Sequence, residues 1–196
     1  MEKYNWDKMT QLQIGKYAEY FAKMEFTLLG WDVYSPELDD KGIDMVLRKD
    51  STFIEAQVKS VRLGKTNYVF MPKSKFSPHK GLVLCLALFE NDKPPSLHLI
   101  PSEAWNQPDE LLADMNYGEG KKSEPEYGLR LSQKNLPMLS KYNFEQMAKQ
   151  LTSANGSNGR AAAATHIPPG RGYGSWKGIR MSDDFDAPLE DFKEYM

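Results

Sequence analysis

The sequence predicts an α/β or α+β domain with a central mixed sheet flanked by helices, and three observations predict it. An amphipathic helical stripe lies near the N-terminus, a run of short strand-like segments separated by turn residues follows it, and a second helical segment ends near residue 151.

Taken in order, Leu12, Ile14, Tyr17, Ala18, Phe21, Ala22, Met24, Phe26 and Leu28 recur close to helical spacing, so Thr10 to Leu29 reads as a helix capped by Thr10 and ended by Gly30. A short strand at Trp31 to Tyr34 and a Pro- and Asp-rich turn over Pro36 to Lys41 come next. Ile43 to Arg48 and Thr52 to Val61 read as strands joined by the tight link Lys49-Asp50-Ser51. Further strands are expected at Asn67 to Met71, Leu82 to Phe89 (a buried central one), Ser96 to Ile100 and Tyr127 to Leu131, with Asp114 to Glu126 read as a polar stretch. The closing helix spans Asn143 to Leu151, with Asn143 and Gln146 at capping-box spacing.

Composition agrees with a packed domain. Of 196 residues, 40% are hydrophobic, 12% aromatic and 27% charged, which suffices for a real core and argues against wholesale disorder. The single cysteine, Cys85, lies inside the apolar run Gly81 to Phe89, so no disulfide within the chain and no Cys-based metal cluster are expected, and a reducing cytoplasm fits. No apolar stretch approaches the ~20 residues that span a bilayer, so membrane insertion is disfavoured. The segment TSANGSNGRAAAAT reads as a linker, giving an expected domain over 1–152, a linker over 153–165 and a tail over 166–196.

The net charge of -2 conceals a local asymmetry. No Asp or Glu occurs between Ala56 and Phe89, where Lys59, Arg62, Lys65, Lys73, Lys75 and Lys80 all fall; from Ser182 onward six acids face one base, Lys193. Arg62, Lys65, Lys73, Lys75 and Lys80 are therefore candidate nucleic-acid contacts, because lysine and arginine supply most non-specific affinity for phosphates. A solvated sheet edge blunted by lysines gives the same pattern. His79 and His98 have no zinc-site spacing.

The strand FIEAQVK carries the chemistry. Its period of two puts Ile54, Ala56 and Val58 on one face and Glu55, Gln57 and Lys59 on the other. A lysine beside oxygen ligands needs a partner, since an unpaired buried charge is unfavourable, and a phosphate would supply one. Asp44, in the preceding hairpin partner, can add a carboxylate, and a hard cation such as Mg²⁺ or Mn²⁺ takes a few such oxygens while keeping several waters.

On these residues the chain resembles the PD-(D/E)xK nuclease superfamily. Glu19 in IGKYAEYFAKMEF, Asp44 in KGIDMV and Gln57 to Lys59 in IEAQVKS match, in order, its helix Glu, its hairpin Asp and its (D/E)xK strand. The resemblance implies a restriction-endonuclease-like fold with a helix after the (D/E)xK strand. It also implies metal-dependent hydrolysis of phosphodiester bonds, with DNA the favoured nucleic acid, and leaves homodimerisation open. Catalytic candidates are Asp44, Gln57, Lys59 and Glu19; metal-ligand candidates are Asp44, Gln57, Glu19 and Glu55. Gln57 departs from the acid of the pattern, as in the Mrr-like branch, and offers an uncharged oxygen. The rival expectation is a catalytically inactive nuclease fold acting as a binding module.

The tail HIPPGRGYGSWKGIRMSDDFDAPLEDFKEYM places large apolar residues among charges without a core of its own, a pattern of segments that order on a partner. Over Tyr173 to Met196 it resembles the toxin-binding segment of VapB- or Phd-like antitoxins. That resemblance implies a PIN-domain toxin as partner, anchors at Trp176, Phe185, Leu189 and Phe192, and a basic residue, Arg171, Lys177 or Arg180, aimed at the toxin. Folding back onto the basic stretch is the other expectation.

Overall fold

The structure, a computed structural model, describes residues 3–38, 41–117 and 123–153. The chain divides into two units, Met1–Asn158 and Gly159–Met196, and every described residue belongs to the first. The linker and tail expectations, including Trp176, Arg180, Phe185, Leu189 and Phe192, lie outside the described residues.

Helix α1 spans Gln11–Leu28 and begins where the sequence says it should: the Thr10 hydroxyl accepts the Gln13 N–H while the Gln13 side chain accepts the Thr10 N–H, satisfying two of the donors a helix start leaves open. Gly30 ends it with φ +77, a conformation that favours glycine. Ile14, Ala18, Ala22 and Phe26 are buried, the i, i+4 row of a helix lying on a sheet.

That sheet runs β1-β2-β3-β5-β6, with β1 at Asp32–Tyr34, β2 at Met45–Lys49, β3 at Thr52–Arg62, β5 at Leu82–Phe89 and β6 at Ser96–Pro101. Asp50, at φ +54, makes the tight β2–β3 turn. Only β3 and β5 pair in parallel, with Gln57 beside Leu84 and Lys59 beside Leu86. All eight residues of β5 are buried because both of its faces are covered. Val83, Cys85, Ala87 and Phe89 face a core shared with α1 and with α2 (Phe144–Ser153). Leu82, Leu84, Leu86 and Leu88 face a second core, under a three-stranded antiparallel sheet β4-β8-β7 made of Tyr68–Pro72, Glu126–Arg130 and Leu112–Met115.

The mixed α+β class with a central mixed sheet and flanking helices is as expected. α1 and α2 pack against the same core, and the opposite face is covered by the small sheet with short 3-10 turns at Ser102–Asn106 and Leu136–Tyr142. The segment from β3 to its parallel neighbour β5 contains a strand, β4, where the residues Asn67 to Met71 predict one and where the resemblance implied a helix. Tyr68–Pro72 alternates Tyr, Val, Phe and Met, with Val69 and Met71 turned to the core, a two-residue period that no helix face can use. β7 falls partly in the stretch read as polar; Leu112 and Ala113 are buried at its start.

Candidate active site

The period of β3 divides its side chains as the sequence implies. Ile54, Ala56 and Val58 enter the helix-side core, and Val61, of opposite parity, enters the other. Gln57 and Lys59 share parity with Val61, and between them in the chain the Val58 N–H donates to Asp44 Oδ2 at 2.6 Å. Asp44 stands just before β2, where its own N–H donates to the Ala56 carbonyl at 3.0 Å. Its carboxylate is thus fixed to the β3 backbone at the midpoint of the Gln57-Val58-Lys59 triplet.

Gln57 is only 5% exposed, and its Oε1 is buried with no hydrogen-bond partner. A buried amide oxygen left unsatisfied costs about 1–3 kcal/mol. Its Nε2 end lies against Gly42, where a Cβ would come within 2.8 Å of it. Gly42 has φ +74, so both the backbone conformation and the space require glycine there. The Lys59 side chain is half-buried and makes no hydrogen bond or ion pair with a described residue.

Glu19 reaches the site through an unexpected residue. Lys16, one turn earlier on α1, binds Glu19 Oε2 at 2.6 Å. Its ammonium is held above the usual lysine range by the hydrogen bond and charge of Glu19, with smaller contributions from Tyr20 and Asp44. The sequence signal for Lys16 is its i, i+3 spacing from Glu19.

Glu55 does not join them. It is exposed and lies 3.4 Å from His79 Nε2, because its strand position falls beside Gly81 and Leu82 at the entry to β5. Among the described residues no three Asp, Glu, His or Cys side chains converge as a metal cluster, so the expected four-residue set reduces to Asp44 and Gln57 with Glu19 held by Lys16. The residues that remain suit a hard cation in their chemistry: the Asp44 carboxylate, fixed to the Val58 N–H, and the buried Gln57 Oε1 one residue along β3 are both oxygen donors, and Mg²⁺ is commonly bound by one or two carboxylates plus waters. Such a cation would activate a water and stabilise charge on a phosphate.

The basic residues separate into engaged and unengaged. Arg62 donates to the carbonyls of Met9 at 3.0 Å and Trp6 at 3.4 Å, tying the N-terminal turn to β3. Lys65 pairs with Asp7 at 3.5 Å. Lys73 binds Asp114 and Asn116 and lies over the Tyr127 ring. Lys80 lines a cavity of about 160 Å³ with Ile54, Leu82, Met147 and Leu151. Lys75 is exposed beside Gly42 and makes no ion pair with a described residue.

No family model matches the chain, and no curated protein matches it. Among solved structures, the chain is similar to a bacterial homing endonuclease, with 16% identity, a TM-score of 0.46 and coverage of 76% of this chain and 98% of that one. It is also similar to the Holliday junction resolvase of Archaeoglobus fulgidus, with 13% identity, a TM-score of 0.44 and coverage of 69% and 95%. At this level neither likeness transfers a residue role or an activity. Among the described residues no helix is long and apolar enough to cross a membrane.

Proposed function

We propose that the domain hydrolyses phosphodiester bonds in nucleic acid, DNA by preference, as a Mg²⁺- or Mn²⁺-dependent endonuclease. The observation that carries this reading is the buried Oε1 of Gln57, without a partner among the described residues, on the same β3 triplet that holds the Asp44 carboxylate and Lys59, which has no ion pair with a described residue. In it Asp44 and Gln57 hold the cation, Lys59 neutralises the attacked phosphate and orients the water, and Glu19 assists once Lys16 gives it up.

The test is cleavage of supercoiled plasmid and of labelled single-stranded and structured substrates with Mg²⁺ or Mn²⁺. Wild type should cut, and Asp44→Ala and Lys59→Ala should each lose at least about 100-fold, the scale of a positioned charge or proton-transfer group. Cutting that survives both substitutions would refute this assignment.

One observation favours a second reading, a catalytically inactive binding module: Gln57 brings no charge and Glu19 is occupied by Lys16. Folded protein that binds DNA but cuts no substrate would select it. In either reading we propose that the tail, through Trp176, Arg180, Phe185, Leu189 and Phe192, binds a protein partner of the PIN-domain toxin class. Failure of a purified PIN-domain ribonuclease to be inhibited by the full chain would count against that role.

A further inference from the structure

We propose that Lys75 is a phosphate-contacting residue of this site, delivered from the turn after β4; the inference rests on the nucleic-acid reading above. Three observations converge on it. First, Gly42 is sandwiched: a Cβ placed there would stand 2.8 Å from Gln57 Nε2 on one side and 3.4 Å from Lys75 Cβ and 3.5 Å from the Lys75 carbonyl on the other. One residue without a side chain therefore lets the turn carrying Lys75 close onto the glutamine whose Oε1 lacks a partner.

Second, the turn is anchored. The N–H groups of Lys75 and Phe76 both donate to the Pro72 carbonyl at 2.9 Å. Phe76 is fully buried, edge-on to Trp105 at 5.3 Å and to Tyr127 at 6.3 Å. The position of the Lys75 Cβ is set by that packing, while its four-carbon stem and ammonium remain in solvent.

Third, Lys75 is available. Arg62, Lys65 and Lys73 are engaged within the domain, whereas Lys75, like Lys59, has no ion pair with a described residue and is exposed. Lys59, two residues along β3 from Gln57, and Lys75, across Gly42 from it, offer two cations to an anion with several oxygens, and a nucleic-acid backbone presents a row of them. Lys59 lies within the β3 triplet and is placed for the reacting phosphate; Lys75, on the rim, is placed for a neighbouring one. Its contribution should therefore appear in binding before it appears in turnover.

The experiment is fluorescence anisotropy of a short labelled DNA duplex, and of the single strand of the same sequence, with the full chain in EDTA over a range of NaCl. Wild type, Lys75→Ala, Lys75→Arg and Lys134→Ala are compared, the last removing a lysine that is paired with Glu110 elsewhere. Lys75→Ala should weaken binding and shrink the slope of log K against log salt by about one contact's worth. Lys75→Arg should keep the slope and Lys134→Ala should leave binding unchanged. In the cleavage assay the Lys75→Ala loss should fall on KM, with kcat retained. A Lys75→Ala slope equal to wild type, while wild type binds, overturns the role of Lys75 and leaves the nuclease reading intact. Absence of salt-dependent binding by wild type overturns both. Since Lys75 is exposed, matching melting curves exclude misfolding as the cause.

Discussion

Both faces of the central sheet bury edge-on ring pairs, Phe26 and Phe144 at 4.8 Å and Trp6 and Phe89 at 4.8 Å on the helix-backed face, Phe76 and Trp105 at 5.3 Å on the sheet-backed one, but they differ in where side chains take up backbone groups. On the helix-backed face Trp6, in the N-terminal turn, donates to the carbonyls of Glu90 at 3.0 Å and Lys93 at 3.1 Å. On the other side such hydrogen bonds run through the covering layer itself. Trp105 Nε1 donates to the Gly128 carbonyl at 3.1 Å, Asn135 Nδ2 to the carbonyls of Glu110 at 2.8 Å and Arg130 at 3.1 Å, and Asp109 Oδ1 accepts the N–H groups of Leu111 at 2.8 Å and Leu112 at 2.7 Å. Tyr68 and Tyr117 both donate to Glu126. Long helices satisfy their own backbone and need only an apolar stripe; short strands and 3-10 turns leave donors and acceptors that side chains must take up.

The largest effect should come from the packed face. Phe26→Ala removes a fully buried ring and should lower stability by about 3–5 kcal/mol, read as a fall in the urea midpoint with the m-value unchanged. A drop under 1 kcal/mol would mean that the helix-side core closes over the hole. On the polar-tied face, a Cβ at Gly128 would overlap the Tyr68 ring. Gly128→Ala should therefore expel that ring from Glu126 and destabilise by about 1–3 kcal/mol; pairing it with Tyr68→Ala should recover part of the loss in a double-mutant cycle.

The smallest effect is pH-dependent. Burial pulls His98 below its ordinary value near 6.5, against a hydrogen bond to the Leu139 carbonyl that raises it. With the folded value depressed, the unfolded chain binds more protons, so this contribution is present above about pH 6.5 and is lost as pH falls below it. Stability measured between pH 5 and 7 should rise with pH, and His98→Gln should flatten that rise. An unchanged profile would assign the slope to other groups.

The same contrast explains what could be read from the sequence. α1 with its Thr10 cap, the all-apolar β5 and the alternation of β3 were legible because each carries one unbroken period and, for α1, an explicit capping signal. β7 was missed because only four residues of strand separate turns, too few to establish a period. In the candidate site, the placement of Asp44 against the Gln57-Val58-Lys59 triplet was legible from parity along β3 and the hairpin before it. Lys16 stood at a readable i, i+3 spacing from Glu19, which marks a helix-surface pair without singling it out, whereas the place of Gly42 depends on the approach of a distant turn that is not visible before the chain is folded.

Cys85 lies at the middle of β5, fully buried, its thiol pushed up to about 12 mainly by that burial. Nucleophilic thiolate is therefore scarce and out of reach while β5 stays between its two covering layers. The chain has one cysteine, so its reaction with an excess of thiol reagent becomes a clock for separation of the layers. Its rate divided by that of the denatured chain gives the opening equilibrium directly, without denaturant and without any knowledge of the substrate.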